Sequence, residues 1–188
     1  CAQQRAITQA AIDRKLTLIA FEDMFVWSPT GQIGRHTFYK NNEMAGYCAV
    51  IHALRLRGID GHYGNQRKVI IFGFGAVSRG ARALSDLISE SDIIVNGKFQ
   101  NPVSPVDFVT EAEKSCLRSG SLIVDVSCDE GMGFYFAKPT TFKQPMFKVE
   151  KTDYYAVDHT PSYLWESASR SISAALIVHL PTVVDGRA

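Results

Sequence analysis

Residues Val69-Ile70-Ile71-Phe72 run straight into Gly73-Phe74-Gly75 and then into Ala76-Val77-Ser78-Arg79-Gly80-Ala81. Few stretches restrict a fold as tightly. The unbroken apolar run reads as a strand buried on both faces, as in a parallel sheet. Gly73 allows the tight turn out of that strand. Gly75 lets a backbone lie against a pyrophosphate, with the amides and positive dipole end of the following helix aimed at the anion. Ser78 is small enough for the third position, where a helix packs closely on a strand. A strand–turn–helix with no ligand is the plainer alternative, and the glycine pair alone does not separate the two. The strand before it and the helix start after it are the context that points to a dinucleotide.

The rest of the chain alternates in the same manner. Asp92-Ile93-Ile94-Val95-Asn96-Gly97 reads as a short buried strand ending in Asn96, and Ser121 to Ser127 reads as another, followed by the turn Cys128-Asp129-Glu130-Gly131-Met132-Gly133. Tyr154 to Val157 is a last strand, ending in Asp158-His159-Thr160-Pro161, and a long helix is expected from Ser162 to His179. Strands separated by helices give a doubly wound parallel α/β sheet.

Further elements are expected as follows. Gln3 to Lys15 is helical, and Leu16 to Phe21 is a strand ending at Glu22-Asp23, either a ligand-facing strand end or a solvated one. Ser28 to Lys40 is a polar loop carrying Arg35 and His36, with His36 a surface or hinge residue. Asn42 caps a helix whose buried stripe is Met44, Tyr47, Cys48, Ile51 and Leu54, leaving His52 facing solvent. Ser104-Pro105 opens a helix that Gly120 stops, and Phe134 to Glu150 is irregular.

With 188 residues, 46% hydrophobic and 21% charged, the chain fits one sizeable domain or a domain with an appendage. A net charge of +1 gives no electrostatic case for nucleic acid or an anionic membrane surface, and no apolar run is long enough to span a bilayer. Cys1, Cys48, Cys116 and Cys128 form no close pair, so neither a disulfide framework nor a metal site is expected. A reducing cytoplasm is the expected compartment. The chain lacks an initiator methionine and is expected to begin inside a longer protein.

Polar groups gather at successive strand ends: Glu22, Asn96, Asp129, Asp158 and His159. One charged strand end is ordinary solvation, whereas five suggest a cleft. Cys128, beside Asp129 and without a nearby base or cation in sequence, is expected to keep its thiol proton and not to act as a nucleophile.

These stretches resemble the alanine dehydrogenase and pyridine nucleotide transhydrogenase superfamily, most closely the branch containing N5-(carboxyethyl)ornithine synthase. The resemblance is carried by Ile19 to Met24, Asn42 to Gly46, the glycine fingerprint and Asp92 to Asn96. Its most specific parts are Asp125-Val126-Ser127-Cys128-Asp129-Glu130-Gly131-Met132 and Tyr155 to Pro161. Lysine-forming saccharopine dehydrogenases are similar around Asp158-His159.

The resemblance implies an NAD- or NADP-dependent enzyme that condenses a pyruvate-like 2-oxo acid with an amino-acid amine and reduces the imine by hydride transfer. It implies catalytic roles for Asp129, which would favour the iminium or orient a water, and for His159, which would donate to the substrate or relay a proton. Gly73, Phe74, Gly75, Ala76 and Val77 would carry the pyrophosphate, while Asn96, Gly97 and Ser127 would line the nicotinamide ribose side. Glu22 and Asp158 are candidate substrate contacts. It further implies a division into residues 1–40 of a catalytic domain, a nucleotide-binding domain over 41–160 and a helix over 161–188 returning to the first part. A homo-oligomer is expected. An alanine or saccharopine dehydrogenase-like enzyme, or a nucleotide-binding module without catalysis, are the other readings.

Two departures from the family bear on this. Its catalytic lysine and histidine lie in an N-terminal domain and have no counterpart here. The acidic residue expected ~20 positions after the glycines is also missing, since that count lands on Val95, and the choice between NAD and NADP is unreadable. The interval from Gly80 to Asp92 is too short for a second strand and its flanking helices. Arg82-Ala83-Leu84 resembles the fingerprint helix, and Ser85 to Glu90 resembles the segment before the family's fourth strand. One expectation is therefore that residues are omitted at Leu84–Ser85. The alternative is a shortened unit with Ile93-Ile94-Val95 directly beside Val69-Ile70-Ile71 and no ordinary adenosine-ribose site.

Overall fold

The computed structural model describes residues 5–60, 64–73, 90–98, 100 and 104–186. Its centre is a five-stranded sheet in the order β3 (Val69–Phe72), β4 (Ile93–Asn96), β6 (Leu122–Asp125), β9 (Thr152–Tyr155), β8 (Met146–Val149). The first four strands are parallel, and β8 joins antiparallel to β9. The α/β class with a mostly parallel sheet is thus as the sequence indicates. The chain divides into two compact units: Glu43–Trp165, which holds this sheet, and Cys1–Asn42 with Glu166–Ala188.

β4 and β6 are buried at every position, as their runs of branched apolar residues require. Register aligns Ile70, Ile94, Ile123 and Tyr154 in one row across the sheet. That face packs against Phe108, Val109, Phe134 and Ala137. The opposite face, with Ile93, Val95, Leu122, Val124 and Tyr155, lies under Ala49 and Ala53 of α2 (Tyr39–Leu56). Alanine side chains let the helix approach the branched strand residues closely, so Ala49 and Ala53 are fully buried together with Cys48 of the expected stripe, while Met44, Ile51 and Leu54 of that stripe are only partly buried. Tyr47 turns outward, and Asn42 lies inside the helix instead of capping it. His52 joins the buried side: its Nδ1 is 3.0 Å from the Tyr155 hydroxyl and its ring stacks on Tyr163. Burial lowers its pKa.

β3 departs from expectation because α2 covers the middle of the sheet and not its edge. Val69 and Ile71, on the α2 face, are 51% and 65% exposed, while Phe72 is buried on the other face. Ile93 to Val95 lie directly beside Val69 to Ile71, as the shortened unit requires. In the usual order 3-2-1-4-5-6 the fourth strand flanks the first in any case, so this pairing suits both readings of the interval. The Leu84–Ser85 junction lies outside the described residues.

The stretch expected to be a helix from Ser104 instead forms β5 (Asp107–Val109), paired parallel with β7 (Gly133–Phe134), and then a 3-10 helix at Glu111–Cys116. Phe108 and Val109 are drawn into the layer covering the sheet. Thr110 caps the 3-10 turn with Glu113 in a reciprocal capping box. Within the stretch expected to be irregular, β8 forms a hairpin with β9 through Glu150, which has a left-handed φ of 53°.

In the other unit, α1 covers Arg5–Asp13, and α3 covers Trp165–Ile177 and is preceded by a 3-10 turn at Thr160–Leu164. Leu16 to Ala20 is not the strand expected: no described strand runs alongside to take its backbone hydrogen bonds, and it leads into a 3-10 turn at Phe21–Asp23. The polar stretch after Trp27 is a hairpin rather than a loop, pairing β1 (Phe25–Trp27) with β2 (Ile33–His36). Its turn closes through Gly31 at φ 78°, whose N–H donates to the Ser28 carbonyl at 2.9 Å. Arg35 lies over the Tyr39 ring, 3.6 Å from its centre. His36 accepts the Phe38 N–H at its Nδ1, 3.0 Å away, which makes it a tie between backbone segments.

Candidate active site at the carboxyl edge of the sheet

The strand register brings Phe72, Asn96 and Asp125 into one row at the carboxyl end of the sheet. Just beyond it the backbones of Gly73 and Gly97 run close: the Gly97 N–H donates to the Phe72 carbonyl at 2.8 Å. A Cβ on Gly73 would stand 3.6 Å from the Gly97 carbonyl oxygen, and one on Gly97 3.6 Å from that of Phe72. The segments after β4 and β6 are tied together by Val126 N–H to the Asn96 carbonyl, 2.7 Å, and by the Ser127 hydroxyl to the Lys98 carbonyl, 2.8 Å.

Asn96 is fully buried and its side chain is committed inward. Its Nδ2 donates to Asp125 Oδ1 at 2.9 Å, and its Oδ1 accepts the Lys98 N–H at 3.1 Å. Its part at the edge is to hold Gly97 and Lys98. Gly133 is packed against it: at φ +84°, a Cβ there would come within 3.1 Å of Asn96 Nδ2 and 3.2 Å of the Phe108 ring.

The acidic residues stand around Cys128. Its Sγ is 3.9 Å from Asp158 Oδ1, and its backbone is left-handed, φ 44°. Burial first, then the charges of Asp158, Asp125 and Asp129, push its thiol up to about 12. It therefore holds its proton at neutral pH and is a weak donor, not a nucleophile. Asp129 is raised by burial and by the charge of Asp158. Asp158 pairs with His159, Oδ2 to Nδ1 at 2.8 Å, and His159 is largely exposed at a left-handed φ of 58°.

The amino edge of the same sheet differs. There Asp92 meets Arg118 at 2.9 Å, and Asp153 meets both Arg57 and Lys148. Among the described residues, no lysine or arginine lies within ion-pair distance of Asp125, Asp129 or Asp158. Among the described residues, then, the amino edge pairs its acids with lysine and arginine, whereas the carboxyl edge holds Asp125, Asp129 and Asp158 with His159 on Asp158 as the ion-pair partner.

Of the residues singled out in the sequence, Gly73, Asn96, Gly97, Ser127, Asp129, Asp158 and His159 all stand at or just beyond the carboxyl ends of these strands. Glu22 belongs to the other unit and sits on a 3-10 turn instead of a strand end, its carbonyl 3.3 Å from His36 Nε2. Phe74, Gly75, Ala76 and Val77 lie outside the described residues. What remains uncommitted suits a nucleotide: two glycines that leave backbone uncovered, and the Ser127 oxygen, which still accepts while its proton is donated. Asp125 and Tyr154, joined by a 2.7 Å hydrogen bond from the Tyr154 hydroxyl, are not among the residues singled out in the sequence. The signal was an acid inside the buried run Leu122-Ile123-Val124-Asp125-Val126, where a charge is seldom placed without purpose. Among the described residues no cluster of three His, Cys, Asp or Glu is arranged to hold a metal, and no helix is long and apolar enough to cross a membrane.

An open, mostly parallel sheet with polar loops collected at its carboxyl ends defines the α/β class in which ligands sit outside those ends. Within that class, residues 39–187 match the model of the alanine dehydrogenase/PNT C-terminal domain, and the chain belongs to that family. It is 30% identical over 165 residues to an N(5)-(carboxyethyl)ornithine synthase of Clostridium botulinum, covering 75% of this chain and 50% of that protein. A second protein of that name, from Lactococcus lactis subsp. lactis, is 28% identical over 167 residues, covering 77% and 51%. An alanine dehydrogenase of Halomonas elongata is 25% identical over 131 residues, covering 70% and 33%. A solved L-alanine dehydrogenase superposes with a TM-score of 0.72 at 18% identity over 96% of this chain and 63% of that one, a likeness of fold.

The chain thus spans about half the length of the two synthases. The 165-residue match to the first occupies 75% of 188 residues, about 141, so about 24 of its positions have no counterpart here. The interval between Gly80 and Asp92 is where the sequence leads one to expect such a shortfall.

Proposed function

We propose that this chain is the nucleotide-binding part of an NAD- or NADP-dependent oxidoreductase that reduces the imine formed between an amino-acid amine and a 2-oxo acid such as pyruvate. The observation that carries this reading is the acidic pair Asp129 and Asp158 at the carboxyl edge, without a lysine or arginine at ion-pair distance among the described residues, next to the glycine-lined ends of β3 and β4. A protonated imine is a cation, and a fixed carboxylate in a partly dry site stabilises it more than water does. The nicotinamide cofactor supplies the hydride.

Gly73 and Gly97 offer backbone against that cofactor, and Ser127 a hydroxyl oxygen on its ribose side. Asp129, raised by burial and by Asp158, holds negative charge where the imine carbon meets the hydride donor, or orients the water released on condensation. Asp158 restrains His159, whose exposed imidazole moves a proton to or from the substrate amine. The chain's likeness to N(5)-(carboxyethyl)ornithine synthases and alanine dehydrogenases supports amino-acid substrates of the ornithine or alanine kind. Residues 1–42 with 166–188 form part of the substrate-binding half in this reading, and the full-length protein works as a homo-oligomer in the cytoplasm.

The test is oxidation of NADH and NADPH by the full-length protein given pyruvate with ornithine, lysine or ammonia. Turnover with a diamino acid supports the synthase-type reaction, and turnover with ammonia alone an alanine dehydrogenase. Cofactor binding without turnover on any amine would refute the enzymatic reading.

A further inference from the structure

Asp125 ends β6, is fully buried, and has no cation at ion-pair distance among the described residues. Four donors from three pieces of chain converge on its two oxygens instead. Asn96 Nδ2 reaches Oδ1 at 2.9 Å, the Tyr154 hydroxyl reaches Oδ2 at 2.7 Å, and the Cys128 N–H reaches Oδ1 at 3.1 Å. The Ser127 N–H is the fourth.

A buried carboxylate without a counter-charge is a poor device for stability, since well-packed apolar residues commonly do as well or better. What it does well is fix backbone, because one carboxylate accepts several N–H groups at once. Two of its four donors belong to the turn that carries Asp129. That turn needs support, since Cys128 is held in a left-handed conformation that a non-glycine residue adopts only when its surroundings impose it.

We propose that Asp125 is a positioning residue for the reaction. By gripping the Ser127 and Cys128 amides it sets Asp129 beside Asp158, and by gripping Asn96 it sets Gly97 at the end of β4. Tyr154 is its support, fixing the second oxygen from the neighbouring strand. The proposal rests on the reading of Asp129 as the carboxylate that faces the reacting amine.

The experiment uses the full-length protein with two readouts: steady-state oxidation of the reduced cofactor, and amide hydrogen exchange of the 126–131 segment. Asp125→Ala is expected to lower kcat at least tenfold, to change the KM for reduced cofactor less than threefold, and to speed exchange in that segment at least tenfold. Asp125→Asn, which keeps an acceptor oxygen for the turn, should bring kcat back to within about threefold of wild type. In an Asp129→Asn background, Asp125→Ala should cost less than a further threefold, because its effect passes through Asp129. Should Asp125→Ala fail to fold, Tyr154→Phe loosens the carboxylate without touching the turn and should lower kcat two- to fivefold.

Unchanged exchange, or a full further tenfold loss in the Asp129→Asn background, would overturn the proposal. An Asp129→Asn protein with normal turnover would overturn the reading of Asp129 alone, and Asp125 would still be judged by its own kcat and exchange.

Discussion

Gly133→Ala should destabilise the protein by an amount that separates two causes. Gly133 sits at φ +84°, and a Cβ would stand 3.1 Å from Asn96 Nδ2 and 3.2 and 3.3 Å from two Phe108 ring carbons. The left-handed backbone costs an L-residue about 1–2 kcal/mol. Forcing a methyl into a packed layer costs about 1–3 kcal/mol, and the stiffer unfolded chain returns about 0.4–1 kcal/mol. The net loss is about 1–4.6 kcal/mol. With a urea slope of about 2 kcal/mol/M, the unfolding midpoint should fall by about 0.5–2.3 M. Gly131→Ala is the control: its φ is +69° but nothing lies within 4 Å of the added methyl, so it shows the backbone cost alone. Equal shifts for the two variants, or no shift for Gly133→Ala, would refute the claim that Gly133 is kept small to seat Asn96.

Three further outcomes follow from the same site. Cys128, with a thiol pKa of about 12, should react with iodoacetamide at pH 8 at least ~100-fold more slowly than an unhindered cysteine, and Asp158→Asn should speed it, as read by mass spectrometry of its peptide. Burial raises Asp125 above its ordinary 3.8, so the folded state binds its proton more tightly than the unfolded chain. Its stabilising contribution is then complete below pH 3.8 and lost as pH climbs through the folded value. Stability should move against wild type relative to Asp125→Asn over that rise, and a flat difference in chemical denaturation would contradict it. Asp129→Asn in the full-length protein should lower kcat at least ~10-fold while cofactor affinity changes far less, because its charge acts mainly in the transition state; equal losses would count against that role.

The parallel sheet was legible because its strands declare themselves. Ile93-Ile94-Val95 and Leu122-Ile123-Val124 are short branched runs bounded by polar residues, and only a strand buried on both faces uses them so. Leu16 to Phe21 is also mostly apolar, though interrupted by the polar Thr17 and the small Ala20, and forms no strand, since a ladder needs a neighbour and local sequence does not show one. The Phe108 stretch was misread for a related reason: Ser104-Pro105 is a good helix start, but burial of Phe108 and Val109 against the sheet outweighs local propensity. In α2 the apolar spacing was right and the face was off by one position, because closeness to the sheet favours Ala49 and Ala53 over bulk. At the site, Asp129, Asp158 and His159 could be found as polar residues at strand ends. Asp125 stands out as an acid inside a buried run, but its role does not show in the sequence, because it depends on Tyr154, 29 residues away, and on the register that brings Asn96 alongside.

Gly97→Val puts the central claim to a direct test. Among the described residues, an added Cβ meets only the Phe72 carbonyl oxygen, at an ordinary 3.6 Å. If the ends of β3 and β4 receive a nicotinamide nucleotide, branched carbons at Gly97 occupy its place. Titration of the full-length protein with NADH and NADPH, followed by cofactor fluorescence, should then show affinity at least ~10-fold weaker than wild type, with the unfolding midpoint nearly unchanged. Wild-type affinity in that variant would place the cofactor elsewhere and contradict the site described.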